Sequence, residues 1–165
     1  TSEVAEGIFD TLENRGLTAA PFGYATLGTL TLEAGTPLFE TELDGQVPNT
    51  LGLRNAVDFE KGCFVGQEVV SRVENRGRPS RRLVGLTPEA VPESGAAVFA
   101  DDEVVGEVTR ATESPMLDDP IALALVGFET EGDLTVRIEG EDVAAGRSEL
   151  PFVEGSDRSA RLPEY

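Results

Sequence analysis

The sequence predicts an α+β chain, with helices before residue 80 and a small antiparallel β-barrel or sandwich after it. Three observations carry this. Apolar residues recur at helical spacing near the N-terminus and again at 66–75. After Pro79, short apolar runs alternate with turn residues at regular intervals. The change of texture near residue 80 divides the 165 residues into 1–79, 80–153 and a polar tail, 154–165.

The elements follow in order. Residues 2–15 predict an amphipathic helix: Val4, Ala5, Ile8, Phe9 and Leu12 share a face, Ser2 is the expected N-cap and Gly16 the C-cap. Residues 24–33 carry Leu27, Leu30 and Leu32 at a period that fits helix or strand, and Gly35 and Pro37 end the run. Residues 51–59, with Leu53, Val57 and Phe59, have a weak strand pattern. Residues 66–75 read as a helix with Val69, Val70 and Val73 as its buried stripe and Gly77 just beyond. Five apolar runs then predict strands, at 83–86, 96–100, 104–108, 121–128 and 134–138. Asp101-Asp102, Glu131-Gly132-Asp133 and Glu139-Gly140 supply turns between them.

Composition narrows the function classes. Thirty-one acids against 13 bases give a formal charge of −18. Such a charge keeps a chain soluble and destabilises it through self-repulsion, a lever that halophiles use. With a single lysine present, it points to a salt-loving, archaeal cytoplasm. Direct nucleic-acid binding over a broad face is disfavoured, because phosphate affinity needs clustered Lys and Arg. No apolar run approaches the roughly 20 residues that span a bilayer, and the N-terminus lacks the basic and apolar regions of a signal peptide. One cysteine cannot form an internal disulfide, and the absence of histidine excludes triads and zinc sites built on imidazole.

The stretch richest in chemistry is Lys61-Gly62-Cys63-Phe64-Val65-Gly66-Gln67-Glu68, which holds the only lysine and the only cysteine. Gly66, Gln67 and Glu68 read as a first helical turn, whose free N–H groups carry partial positive charge. With Lys61 and nearby arginines, that setting favours a thiolate, which is a nucleophile and a metal ligand. The other reading is a small buried apolar side chain, which free cysteine often is. Arg72, Arg76, Arg78, Arg81 and Arg82 fall within one short run. They read as an anion site, since Arg matches carboxylates bidentately, or as compensation of acids such as Glu68 and Glu74. Glu33 reads either as a hydrogen-bond acceptor for a ligand or as a solvated helix-end carboxylate. Asp101-Asp102 and Asp118-Asp119 are better explained by turn chemistry than by a metal.

The octet resembles the K-G-C-F/Y-x-G-Q-E signature of the YgfZ family, folate-binding-fold proteins related to the glycine cleavage T-protein, an aminomethyltransferase. Leu32-Glu33-Ala34-Gly35-Thr36-Pro37-Leu38-Phe39 resembles the family's R-L/I-E-A-G-x-P segment, with Thr31 where the family has Arg. Arg81-Arg82-Leu83-Val84-Gly85-Leu86, Gly106-Glu107-Val108-Thr109, Ser114-Pro115 and Ile121-Ala122-Leu123-Ala124 resemble segments of the family's C-terminal barrel. The resemblance covers most of residues 1–150 and implies the end of a folate-binding domain followed by a six-stranded barrel. It makes residues 24–33 a helix. It also implies that the chain is a C-terminal fragment, without the half that carries the T-protein's catalytic aspartate.

The function this resemblance implies is iron–sulfur cluster assembly or repair with tetrahydrofolate. Cys63 and Lys61 would be its catalytic residues, and Glu33, Gly66, Gln67, Glu68 and Arg72 would contact the folate. Its partners would be iron–sulfur proteins or the assembly machinery, with no membrane and no nucleic acid. The alternative is an aminomethyltransferase of glycine cleavage, which has no need of the cysteine. A third reading is an interaction module that docks through its barrel.

Overall fold

The computed structural model describes residues 1–153, the Arg76 side chain excepted, so the predicted tail, 154–165, lies outside the described residues. Three α-helices come first: α1 (Ser2–Arg15), α2 (Tyr24–Glu33) and α3 (Gln67–Arg76), with a π-helical turn at Phe39–Leu43 and a 3-10 turn at Arg54–Ala56 between the last two. Six strands follow: β1 (Arg81–Pro88), β2 (Ala97–Ala100), β3 (Glu103–Ser114), β4 (Asp119–Gly127), β5 (Leu134–Ile138) and β6 (Glu141–Ser148). They close an antiparallel barrel in the order β1-β4-β3-β2-β5-β6, with β6 returning to β1.

Strand β4 shows how the sequence builds two cores at once. Ala122, Ala124 and Val126 point into the barrel with Leu86, Val98, Val108 and Val136. Their alternates Ile121, Leu123 and Leu125 face outward and pack with Leu32 of α2, Leu51, Leu53, Leu83 and Phe152. Both faces are buried, so the strand reads as an unbroken apolar run rather than as alternation. Its small side chains lie inside, where a narrow barrel has little room. Gly106 belongs to the same economy: a Cβ there would sit 2.2 Å from the Leu125 carbonyl oxygen.

The turns use the predicted residues. Asp101 (φ 52°), Glu139 (φ 51°) and Gly140 (φ 90°) take left-handed conformations, and the last two form the two-residue loop between β5 and β6. Asp118 (φ 57°) does the same before β4, so the paired aspartates serve turns. In β3 the register against β4 shifts between Val108 and Arg110. The extra residue is Thr109, whose hydroxyl donates to the Leu123 carbonyl at 3.1 Å. A bulge of this kind re-aims the next side chain, here Arg110.

Several expectations need correction. Helix α1 is capped by Thr1, and Ser2 lies inside the helix with its hydroxyl donating to Glu6 at 3.2 Å. None of its residues is buried, so Val4, Ile8, Phe9 and Leu12 form an apolar stripe that the described residues leave uncovered. Residues 51–59 form no strand. Gly52 takes φ 63°, and local bonds such as Leu51 N–H to Pro48 C=O (3.2 Å) fold the segment into turns. Among the described side chains of α3, only Val70 is buried, at 8% exposure, while Val69 is exposed. Strand β6 went unread because Glu-Asp-Val-Ala-Ala-Gly-Arg-Ser buries only Ala145; pairing with β5 and β1 defines it. Among the described residues, no helix is long and apolar enough to cross a membrane.

Candidate functional site

The octet lies on an arm between the 3-10 turn and α3. Asp58 shapes its entry by accepting the backbone N–H of Glu60 (2.9 Å) and Lys61 (3.1 Å). Gly66, at φ 87°, turns the chain into α3, a conformation that glycine adopts without strain. Gln67 reaches back to accept the Phe64 N–H at 3.3 Å. Between arm and helix lies a cleft of about 540 Å³, lined by Val57, Asp58, Phe59, Lys61 and Phe64 on one side and Gln67, Glu68, Val70, Ser71, Glu74 and Asn75 of α3 on the other. That size suits a small organic ligand.

Glu74 fastens the arm to the body. It is ion-paired with Arg54 and accepts from Asn49 Nδ2 at 3.4 Å. The Arg54 guanidinium also lies over the Phe59 ring, 5.4 Å from its centroid. Thus a single carboxylate and one cation–π contact join both walls of the cleft.

The predicted site residues do not all meet here. Lys61, Gln67 and Glu68 line the cleft; Cys63 is exposed and is not among the lining residues. Gly66 sets the helix start. Glu68 and Arg72 form an exposed pair at 2.6 Å, the i,i+4 compensation weighed above. Glu33 is elsewhere and is buried at 5% exposure, neither solvated nor facing the cleft. One of its carboxylate oxygens accepts from the Ser114 hydroxyl (2.6 Å) and the Met116 N–H (3.3 Å), tying α2 to the β3–β4 turn.

The arginine run also separates. Arg78 pairs with Glu129 at 3.4 Å and Arg81 with Glu107 at 3.5 Å, so these cations answer the chain's own acids. Arg82 donates instead to the Thr130 carbonyl at 2.8 Å. The Arg76 side chain lies outside the described residues.

One constellation escaped the sequence reading. Glu42, fully buried, accepts from Arg110 Nε at 2.9 Å, from the Leu38 N–H at 2.8 Å and from the Thr41 hydroxyl at 2.7 Å. Arg110 also donates to Thr31 Oγ1 at 3.0 Å and to the Thr36 carbonyl at 2.8 Å. Thr31 is the position where the resembled family carries arginine; here a guanidinium reaches it from β3. The available signal was the one cation of β3, Arg110, among the acids Glu103, Glu107 and Glu113.

A closed barrel with helices laid on one side defines a class, and residues 81–154 match the family described as the glycine cleavage T-protein C-terminal barrel domain. Two similar proteins named aminomethyltransferase extend the likeness across the helices. That of Streptomyces coelicolor is 44% identical over 132 residues, covering 75% of this chain and 36% of its own length. That of Symbiobacterium thermophilum is 35% identical over 160 residues, covering 93% and 42%. The crystal structure of glycine cleavage system aminomethyltransferase T from Bartonella henselae superposes with a TM-score of 0.79 at 27% identity, covering 99% of this chain and 46% of that one. This chain thus spans less than half the length of these relatives. Together the matches support the glycine cleavage T-protein family.

They also overturn the iron–sulfur assembly reading. The similar proteins are named aminomethyltransferases, and nothing among them singles out the YgfZ branch. The octet's likeness to that branch rests on eight residues, whereas the T-protein likeness extends over most of the chain.

Proposed function

We propose that this chain serves aminomethyl transfer in glycine cleavage, passing a one-carbon unit from an aminomethylated carrier to tetrahydrofolate. The observation that carries this is the extent of the likeness to aminomethyltransferases, which reaches 93% of the chain, well beyond the barrel. When bound, tetrahydrofolate supplies the amine that accepts the one-carbon unit.

The cleft's donor set fits a flat amino-heterocycle with an acidic tail. Phe59 and Phe64 offer apolar ring surface, Asp58 and Glu68 accept from amino groups, and Lys61 attracts a carboxylate. Gln67, partly engaged by Phe64, is held in place for a directed hydrogen bond. Gly66 leaves the backbone at the helix start open, and Arg72 balances the charge of Glu68. Glu33 does not line this cleft: it is buried, with one carboxylate oxygen accepting from Ser114 and Met116. Cys63 belonged to the cluster-assembly reading and has no step in aminomethyl transfer.

The test, made on the protein at the full length of its relatives, measures tetrahydrofolate-dependent release of the one-carbon unit from an aminomethylated carrier. The expected result is turnover by the wild type, unchanged in Cys63→Ala and weakened in KM for tetrahydrofolate in Lys61→Gln. Folded protein that binds tetrahydrofolate without turnover, or turnover abolished by Cys63→Ala, would overturn the reading.

A further inference from the structure

At the β1–β6 side of the barrel, two arginines converge on one carbonyl. Arg82 Nη2 donates to Thr130 O at 2.8 Å, and Arg147 Nη2 donates to the same oxygen at 2.9 Å. Each guanidinium has five N–H donors in a planar fork, so one shared acceptor leaves most of them unused. One of these, Arg82 Nε, is buried without a hydrogen-bond partner.

Their lack of a salt bridge counts in a chain of charge −18. Arg54, Arg72, Arg78, Arg81, Arg110 and Arg137 all form salt bridges with Asp or Glu. Among the described residues, Arg82, Arg147 and the exposed Arg15 of α1 form none, and only the first two converge on one acceptor. Burial lowers the Arg147 pKa and the neighbouring Arg82 charge lowers it further, against an opposing pull from Glu131. The Phe128 ring, 5.8 Å from the Arg82 guanidinium carbon, closes one side. Two like charges held together by a neutral carbonyl form a site with a surplus of positive charge and of directed donors. An oxyanion supplies what both lack, because planar guanidinium forks match carboxylate and phosphate oxygens.

We propose that Arg82 and Arg147, gathered by the Thr130 carbonyl, form an anion-binding site for a carboxylate or phosphate group. It draws on no residue of the cleft around Lys61, so it stands or falls apart from the aminomethyl-transfer reading.

The test follows the arginine Nε–H resonances of the protein by NMR while inorganic phosphate, or in a second arm free glutamate, is added. Chloride and ionic strength are held constant, since chloride competes and salt screens. The expected result is a saturable shift of the Arg82 and Arg147 signals with at least one of the two anions, the stronger binder naming the source. Arg147→Gln, at an exposed position that spares the fold, should weaken that affinity about tenfold or more. Arg81→Gln, whose native side chain already pairs with Glu107, should leave it unchanged. No saturable shift with either anion, or equal affinity in Arg147→Gln, would overturn the proposal.

Discussion

The barrel with its packed helix α2, and the arm that carries the octet, handle charge in opposite ways. Where α2 meets the barrel, Glu33 and Glu42 are buried and each is answered by its own chain: Ser114 and Met116 for one, Arg110, Leu38 and Thr41 for the other. On the arm, Asp58, Lys61 and Glu68 remain at the surface of a cleft that Val70 and Glu74 anchor. Buried charges need internal partners because desolvation is costly. Surface charges keep their hydration and need no buried partner. Titratable residues in the first region therefore fix structure, whereas those in the second stay accessible, paired locally as Glu68 is with Arg72.

Salt withdrawal acts on both regions and has the largest expected effect. With the formal charge at −18, lower ionic strength lengthens the range of repulsion between acids. Cooperative unfolding followed by circular dichroism as salt is dialysed away is the expected outcome; unchanged stability in dilute buffer would remove the halophilic reading.

Substitution then separates the regions. Arg110→Ala strands the Glu42 carboxylate in the core and should cost about 3–5 kcal/mol in denaturant unfolding. A loss below 1 kcal/mol would show that the buried pair does not hold the π-helical turn against the barrel. Leu123→Ala opens a cavity in the outer core beneath α2 and should cost about 2–5 kcal/mol. On the arm, Glu74→Gln breaks the partly exposed pair with Arg54 and should cost only about 0–1 kcal/mol. Its larger effect should be looser ligand binding in the cleft, because the helix wall loses its fastening. Equal stability losses in Arg110→Ala and Glu74→Gln would erase the distinction drawn here.

Much of the barrel was legible from sequence because its strands announce themselves locally. The run Ile121 to Val126, the turn residues Asp101 and Gly140, and the change of texture near residue 80 each report on nearby backbone. Strand β6 was not legible, since its place comes from partners rather than from its own apolar content. Residues 51–59 misled because Leu51 and Leu53 are core residues held by turns, and alternation alone does not distinguish the two. The Glu42–Arg110 pair joins positions 68 apart in sequence, beyond any local pattern. At the arm, the octet was legible as a motif; Lys61, Gln67 and Glu68 line the cleft beside it with residues further along α3, and Cys63 is not among the lining residues.

The account's central claim is that the arm, rather than the barrel, presents the ligand surface for tetrahydrofolate. Amide hydrogen exchange with and without tetrahydrofolate tests it most directly. The predicted result is slowed exchange across residues 57–75, with the barrel strands unchanged. Protection confined to the barrel, or no change in the arm at saturating tetrahydrofolate, would contradict it.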